Sequence, residues 1–259
     1  NSPGRIFSGL KPTFSKNKSP SFGRFFIKLF MKKPIKIGIF GGMGANASAH
    51  FLQLLINQIN QNKIPMPEIF LDSIAIDDFI NDNSKINPAL KVLQNRVRVF
   101  NSLKINMAVM TCNTAHILHP HMLSNSNFYF PSLIDLVAKN IKKSNLKKIG
   151  LLATSNTIKH NLYQNHFQKS KIKIYYPHSS LQIILETNIR KIIDSSNELD
   201  KKLLIKEINN FIKNNQLEGL ILGCTELPLL FSKIKYHPSV TIFDSLSILS
   251  DSVIKFIEC

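Results

Sequence analysis

Met107-Ala108-Val109-Met110-Thr111 has the pattern of a buried strand and gives way to polar groups at Cys112-Asn113-Thr114-Ala115-His116. Gly219-Leu220-Ile221-Leu222-Gly223 runs in the same manner into Cys224-Thr225-Glu226. The two cysteines are 112 positions apart, and Ile37-Gly38-Ile39-Phe40 matches Ile149-Gly150-Leu151-Leu152 at that same offset (112 to 224, 37 to 149). Each half of the chain thus carries a glycine-bearing first strand and, 75 positions later, an apolar strand ending in cysteine (37 to 112, 149 to 224). Matches this short suggest a duplication without establishing one. A duplicated lobe would bring two equivalent strand ends, each with a thiol, to one cleft.

Working outward, β-rich runs fall at 35–40, 69–74, 107–111, 132–134, 148–153, 172–176, 219–223 and 240–243, and helical segments at 47–61, 88–103, 158–169, 181–194, 200–214 and 246–257. Short strands alternating with longer helices argue for parallel strands joined by crossover helices. The predicted fold is α/β, with two similar lobes, each a parallel sheet flanked by helices. A pseudo-two-fold axis relates them, and the active site lies between them. The lobes are placed at 34–134 and 135–245, with helix 246–257 packing on the first.

A length of 259 residues with 44% hydrophobic content supports a core in each lobe. No run of eighteen apolar residues occurs, so a soluble chain with no membrane partner is expected. The formal charge is +17, but residues 1–36 hold nine Lys and Arg and no acids, leaving +8 (17 − 9) elsewhere. The other lysines are interleaved with Asn, Ser and Ile, with no basic stripe alternating with aromatics. A solvated surface explains them better than nucleic-acid binding. Residues 1–33 read as a basic leader or tag-like tail, predicted to be disordered, with the composition of an organelle transit peptide. Three cysteines make no disulfide framework, so a reducing compartment is expected: the cytoplasm, or an organelle if the leader is a transit peptide.

In open parallel sheets ligands bind beyond the carboxyl ends of the strands, where Cys112 and Cys224 both fall. One cysteine in such a place is as often inert packing as a reactive group, but two at matched strand ends with polar neighbours favour thiol chemistry. Asn113, Thr114 and Thr225 can offer donors to a carboxylate. Gly41-Gly42-Met43-Gly44-Ala45-Asn46-Ala47 comes directly after the first strand and can approach an anion closely. It also satisfies G-x-G-x-x-A, with Asp72 as a ribose acceptor, so an NAD(P)-binding oxidoreductase is the main rival, although it leaves the paired thiols without a role. His116, His119 and His121 have no zinc spacing, and no metal is expected. His116 is read as a neighbour that affects thiol ionisation.

Taken together, Gly41-Gly42-Met43-Gly44, Cys112-Asn113-Thr114-Ala115-His116 and Gly223-Cys224-Thr225-Glu226-Leu227-Pro228-Leu229-Leu230 resemble the three signature segments of the aspartate/glutamate racemase family. Glu226 is similar to the aspartate branch, since the glutamate branch usually has His there. The resemblance implies an amino-acid racemase or epimerase that needs neither pyridoxal phosphate nor metal, works on a small-molecule amino acid and forms a homodimer. It implies Cys112 and Cys224 as the acid/base pair, with Gly42, Met43, Asn113, Thr114, Thr154 and Thr225 binding substrate and His116 and Glu226 behind them. Maleate and hydantoin isomerases of the same superfamily are the alternatives. Ala45 and Ser48 depart mildly from the family pattern. The Arg and Lys expected to hold a distal carboxylate are not visible at Ile76-Asp77-Asp78-Phe79 and Gln182-Ile183-Ile184, which predicts weak aspartate turnover and a neutral or basic substrate.

Overall fold

The computed structural model describes residues 34–76, 83–194, 201–231 and 240–259. The leader 1–33 and the loop residues Asp77, Asp78 and Phe79 lie outside the described residues. Two parallel sheets carry the fold. The first has the order β2-β1-β3, with β1 at Lys36–Gly41, β2 at Glu68–Ser73 and β3 at Met107–Met110. The second has the order β5-β4-β6-β7, with β4 at Lys148–Leu152, β5 at Lys173–Tyr175, β6 at Gly219–Leu222 and β7 at Thr241–Asp244. The helices are α1 (Ala45–Gln61), α2 (Ile86–Ser102), α3 (His119–Leu123), α4 (Leu133–Lys143), α5 (Ser155–Lys159), α6 (Ser179–Ile193), α7 (Lys201–Asn215), α8 (Leu227–Phe231) and α9 (Ser245–Glu258).

The 112-residue offset survives in the hydrogen-bonded register. Ile37 pairs with Met107 in the first sheet and Ile149 with Gly219 in the second, each 112 positions on (37 to 149, 107 to 219). The repeated glycines serve one packing purpose. A β-carbon at Gly38 would strike the Phe100 ring of α2, and one at Gly150 would strike Leu217 and Leu220 and then the Phe211 ring of α7. Each lets a helix aromatic lie flush on the first strand of its sheet.

The helices bury regular stripes. On α1 these are Ala47, Phe51, Leu55 and Ile59, and on α9 Leu246, Leu249, Val253 and Ile254, the three- and four-residue spacing of an amphipathic helix. Phe51, Leu55 and Ile59 of the first stripe, all of the second and that of α4 enter one apolar cluster that also takes Ile37, Ile39 and Val109 from the first sheet and Ile149, Leu151 and Ile221 from the second. The outer faces have separate clusters, and Cys112 belongs to one and Cys224 to the other. Helix α9 is tied to α1 by Gln58, which donates to Asp251 at 2.9 Å and accepts from Ser250 at 2.5 Å. Ile35–Cys259 form one compact unit.

Two predicted elements are corrected. The strand expected at 132–134 is the start of α4: Ser132 is extended and its hydroxyl accepts from the Asp135 N–H at 3.2 Å, capping a helix whose stripe is Leu133, Ile134, Val137, Ala138 and Ile141. The helix expected at 158–169 starts earlier, capped by Thr154, and stops where Asn161 enters the left-handed region at φ 52°. Beyond it there is only a 3₁₀ turn, Gln164–His166.

Candidate functional site

The site is built on the carboxyl ends of β1, β3, β4 and β6. Met110 and Leu222 close equivalent strands, paired with Phe40 and Leu152, and the two thiols lie two residues beyond them. Cys112 is 6% exposed and Cys224 5%. Burial first and then the Glu226 carboxylate raise the pKa of the Cys224 thiol well above its usual value, and the charge of Cys112 adds a smaller push in the same direction.

Hydroxyls and amides from both halves meet around them. Thr114, Thr154 and Thr157 form a buried triangle of hydroxyls at 3.0, 3.1 and 3.1 Å. The Asn113 amide is engaged at both ends: Nδ2 donates to the Ser245 hydroxyl at 3.1 Å and Oδ1 accepts from the Tyr163 hydroxyl. Ser245 donates in turn to the Leu222 carbonyl at 2.9 Å, so the first residue of α9 joins the ends of β3 and β6. Thr225 is buried, and its hydroxyl donates to Glu226 Oε2 at 3.2 Å. Neither Tyr163, in the segment expected to be a longer helix, nor Ser245 carries any motif that would mark it in the sequence.

The glycine loop is pinned by Ser48, which accepts from the Gly42 N–H at 3.2 Å, donates to the Gly44 carbonyl at 3.0 Å and touches the Thr111 hydroxyl at 2.9 Å. Gly42 (φ 86°) lies against the Ile74 backbone, where a side chain would overlap it. At Gly44 (φ 101°) a β-carbon would overlap Glu226 Oε1. Glycine is therefore required at both by conformation and by space. Met43 between them is half-buried against the outer cluster that holds Cys112.

His116 is wired to backbone at both nitrogens. The Leu133 N–H donates to Nε2 at 2.9 Å, which makes Nδ1 the protonated nitrogen, donating to the Cys112 carbonyl at 2.7 Å. Burial, reinforced by His119, lowers its pKa to about 3, so it is a neutral strut between the Cys112 carbonyl and the start of α4. His119 bonds the Phe130 carbonyl at 3.1 Å and stacks on His116, while His121 is exposed. Asp72, the ribose acceptor of the dinucleotide reading, is paired with Arg96 at 3.4 Å. Among the described residues no group of three His, Cys, Asp or Glu side chains is arranged to hold a metal ion. No helix among them is long and apolar enough to cross a membrane.

A family model described as Asp/Glu/Hydantoin racemase matches residues 40–253, which include the glycine loop and both cysteine segments. The chain belongs to this racemase family. Among solved structures of similar fold, the Picrophilus torridus aspartate racemase has a TM-score of 0.70 at 27% identity, covering 86% of this chain and 94% of that one. An aspartate racemase homologue from Pyrococcus horikoshii OT3 has a TM-score of 0.71 at 24% identity, covering 86% and 99%, a likeness of fold. In sequence, the glutamate racemase of Histophilus somni (strain 129Pt) is 27% identical over 154 residues, or 58% of this chain and 55% of that protein. The chain thus spans little more than half the length of that curated relative.

Proposed function

We propose that this chain is an amino-acid racemase of the aspartate/glutamate type in which Cys112 and Cys224 act as a two-base pair on one α-carbon without a cofactor. The observation that carries this reading is the placement of two buried thiols at register-equivalent strand ends, which Asn113 and Ser245 join by hydrogen bonds. One thiolate removes the α-proton while the opposite thiol delivers a proton to the other face, which inverts the centre and leaves the protein in the mirror protonation state. An amino acid is a weak carbon acid, so charge developing on its carboxylate needs fixed donors in a water-poor cleft. The glycine loop, the Asn113-Thr114 turn, Thr154 and Thr225 are the groups available for it.

The substrate's tail is read from Gln182, in the first turn of α6 where the resemblance to the racemase family leads one to expect a Lys. Its Nε2 donates to the Ala153 carbonyl at 2.9 Å and to Glu186 at 3.2 Å, two pure acceptors, so the amide is fixed with Oε1 turned away, buried and unpartnered. An acceptor beside a carboxylate suits a neutral or donor-bearing side chain better than a second carboxylate. Incubation with aspartate, glutamate, asparagine and lysine in deuterium oxide, with α-proton exchange and loss of optical activity measured together, tests both parts. Exchange with inversion of at least one amino acid is expected, with asparagine or lysine ahead of aspartate. No exchange with any amino acid sinks the racemase reading, and efficient aspartate turnover sinks the reading of the tail.

A further inference from the structure

The two halves match at an offset of 112, yet the residues just after each thiol differ. Two positions after Cys112 stands Thr114, and two positions after Cys224 stands Glu226 (114 to 226). The Thr114 hydroxyl is spent on Thr154 and Thr157. Glu226 turns back on its own cysteine: the Cys224 S–H donates to Oε2 at 3.0 Å, and the Thr225 hydroxyl donates to the same oxygen. The carboxylate is 3% exposed and its Oε1 has no hydrogen-bond partner, lying against Gly44 of the other half.

We propose that Glu226 is a positioning residue that sets the protonation order of the two thiols: it holds the proton on Cys224 and makes Cys112 the side that loses its proton first. This rests on the racemase reading for its catalytic meaning but not for its test. Removing the Cys224 proton while Glu226 is ionised would leave two anions one hydrogen bond apart in a site closed to water. A like charge at that distance disfavours ionisation by one or more pH units. The other titratable groups that bear on Cys224 are Cys112, whose charge acts in the same direction, and Tyr163, which burial keeps neutral. The carboxyl is also pushed up by burial, but the hydrogen bonds from Cys224 and Thr225 oppose that. The thiol is raised by burial and by the carboxylate together, against a smaller lowering from the Glu226 backbone N–H, so the proton stays on sulfur. In the resting protein the substrate hydrogen facing Cys112 is then the one taken, and the enantiomer presenting its hydrogen to Cys224 must wait for the opposite protonation state.

Alkylation of the folded protein with iodoacetamide across a pH series, followed by proteolysis and mass spectrometry of the peptides, measures Cys112 and Cys224 separately from each other and from the exposed Cys259 in one sample. Cys112 should react at a lower pH than Cys224. Glu226→Gln keeps the shape and the acceptor oxygen but removes the charge. It should lower the Cys224 midpoint by about one pH unit or more, raising its reaction rate roughly tenfold at a fixed pH below that midpoint, with a smaller change at Cys112. Equal midpoints in the unmodified protein, an unmoved Cys224 midpoint in the variant, or a shift upward each overturns the proposal. Should the variant fail to fold, the comparison of Cys112 with Cys224 in the unmodified protein still decides. The S–H Raman band of a protein carrying Cys224 as its one thiol gives the same titration without relying on reagent access. None of these readings depends on turnover, so racemase activity and protonation order can fail separately.

Discussion

Lowering the pH from 7 to 5 should destabilise the fold by about 2 kcal/mol through His116 alone. The ring accepts from the Leu133 N–H and donates to the Cys112 carbonyl, and burial takes its pKa from 6.5 to about 3. Between those values the unfolded chain binds a proton that the folded chain refuses. The stabilisation is therefore fully present above the unfolded pKa and is lost as pH falls toward the folded one. At pH 5 the unfolded imidazole is protonated about thirtyfold in excess, which converts to about 2 kcal/mol. His119, also lowered by burial, acts in the same direction. Glu226 and Asp244, raised by burial, act in the opposite one, since the folded chain takes up their protons first. The measurement is therefore a difference: urea unfolding at pH 7 and pH 5 for the protein and for His116→Gln. The variant should be the less stable at pH 7, with its deficit shrinking by about 2 kcal/mol at pH 5. Parallel pH dependences in the two proteins would refute the neutral, backbone-wired imidazole.

Cys112→Ser and Cys224→Ser should each lower racemisation by about a hundredfold or more while circular dichroism stays native, because a hydroxyl is too weak an acid to replace the thiol. Near-normal rates in either single variant would remove the two-base mechanism. Gly44→Ala should cost about 1–3 kcal/mol in thermal or urea unfolding, since it combines φ 101° with an overlap on Glu226. A neutral effect would mean that the loop and Glu226 are not in contact. Tyr163→Phe should cost about 1–3 kcal/mol by leaving Asn113 Oδ1 short of a buried donor, and unchanged stability would show that this bond contributes nothing.

The strand ends are legible in the sequence because each combines a short apolar run with an abrupt change to Cys-Asn-Thr or Cys-Thr-Glu, and the offset of 112 ties them together. The register of β1 with β3 and of β4 with β6 bears out that pairing. The features hidden from the sequence depend on contacts between residues far apart in it. Ser245 looks like an ordinary helix start, yet its hydroxyl joins Asn113 to Leu222. Tyr163 sits in a segment whose apolar spacing mimics a longer helix, and only the left-handed turn at Asn161 frees it to enter the core. The cap at Ser132 is masked by a three-residue apolar run too short to separate strand from capped helix by periodicity. His116 stands out in the sequence, but its action falls on the backbone carbonyl of Cys112, since proximity in sequence says nothing about which atom a ring nitrogen reaches.

The apolar cluster shared by the two sheets makes each half depend on the other. A protein consisting of one half alone would expose the inner faces of its strands and helices, because Ile37, Val109, Ile149 and Ile221 cover one another across that cluster. Its simplest remedy is a second identical subunit, with one thiol from each meeting at the subunit boundary. In such a symmetric pair, the residue two positions after each thiol would be the same, so both thiols would have a carboxylate beside them or neither would. A single polypeptide carries no such constraint, and this one has Thr114 on one side and Glu226 on the other. Where two identical subunits would hold interchangeable thiols, one chain holds two that can be told apart.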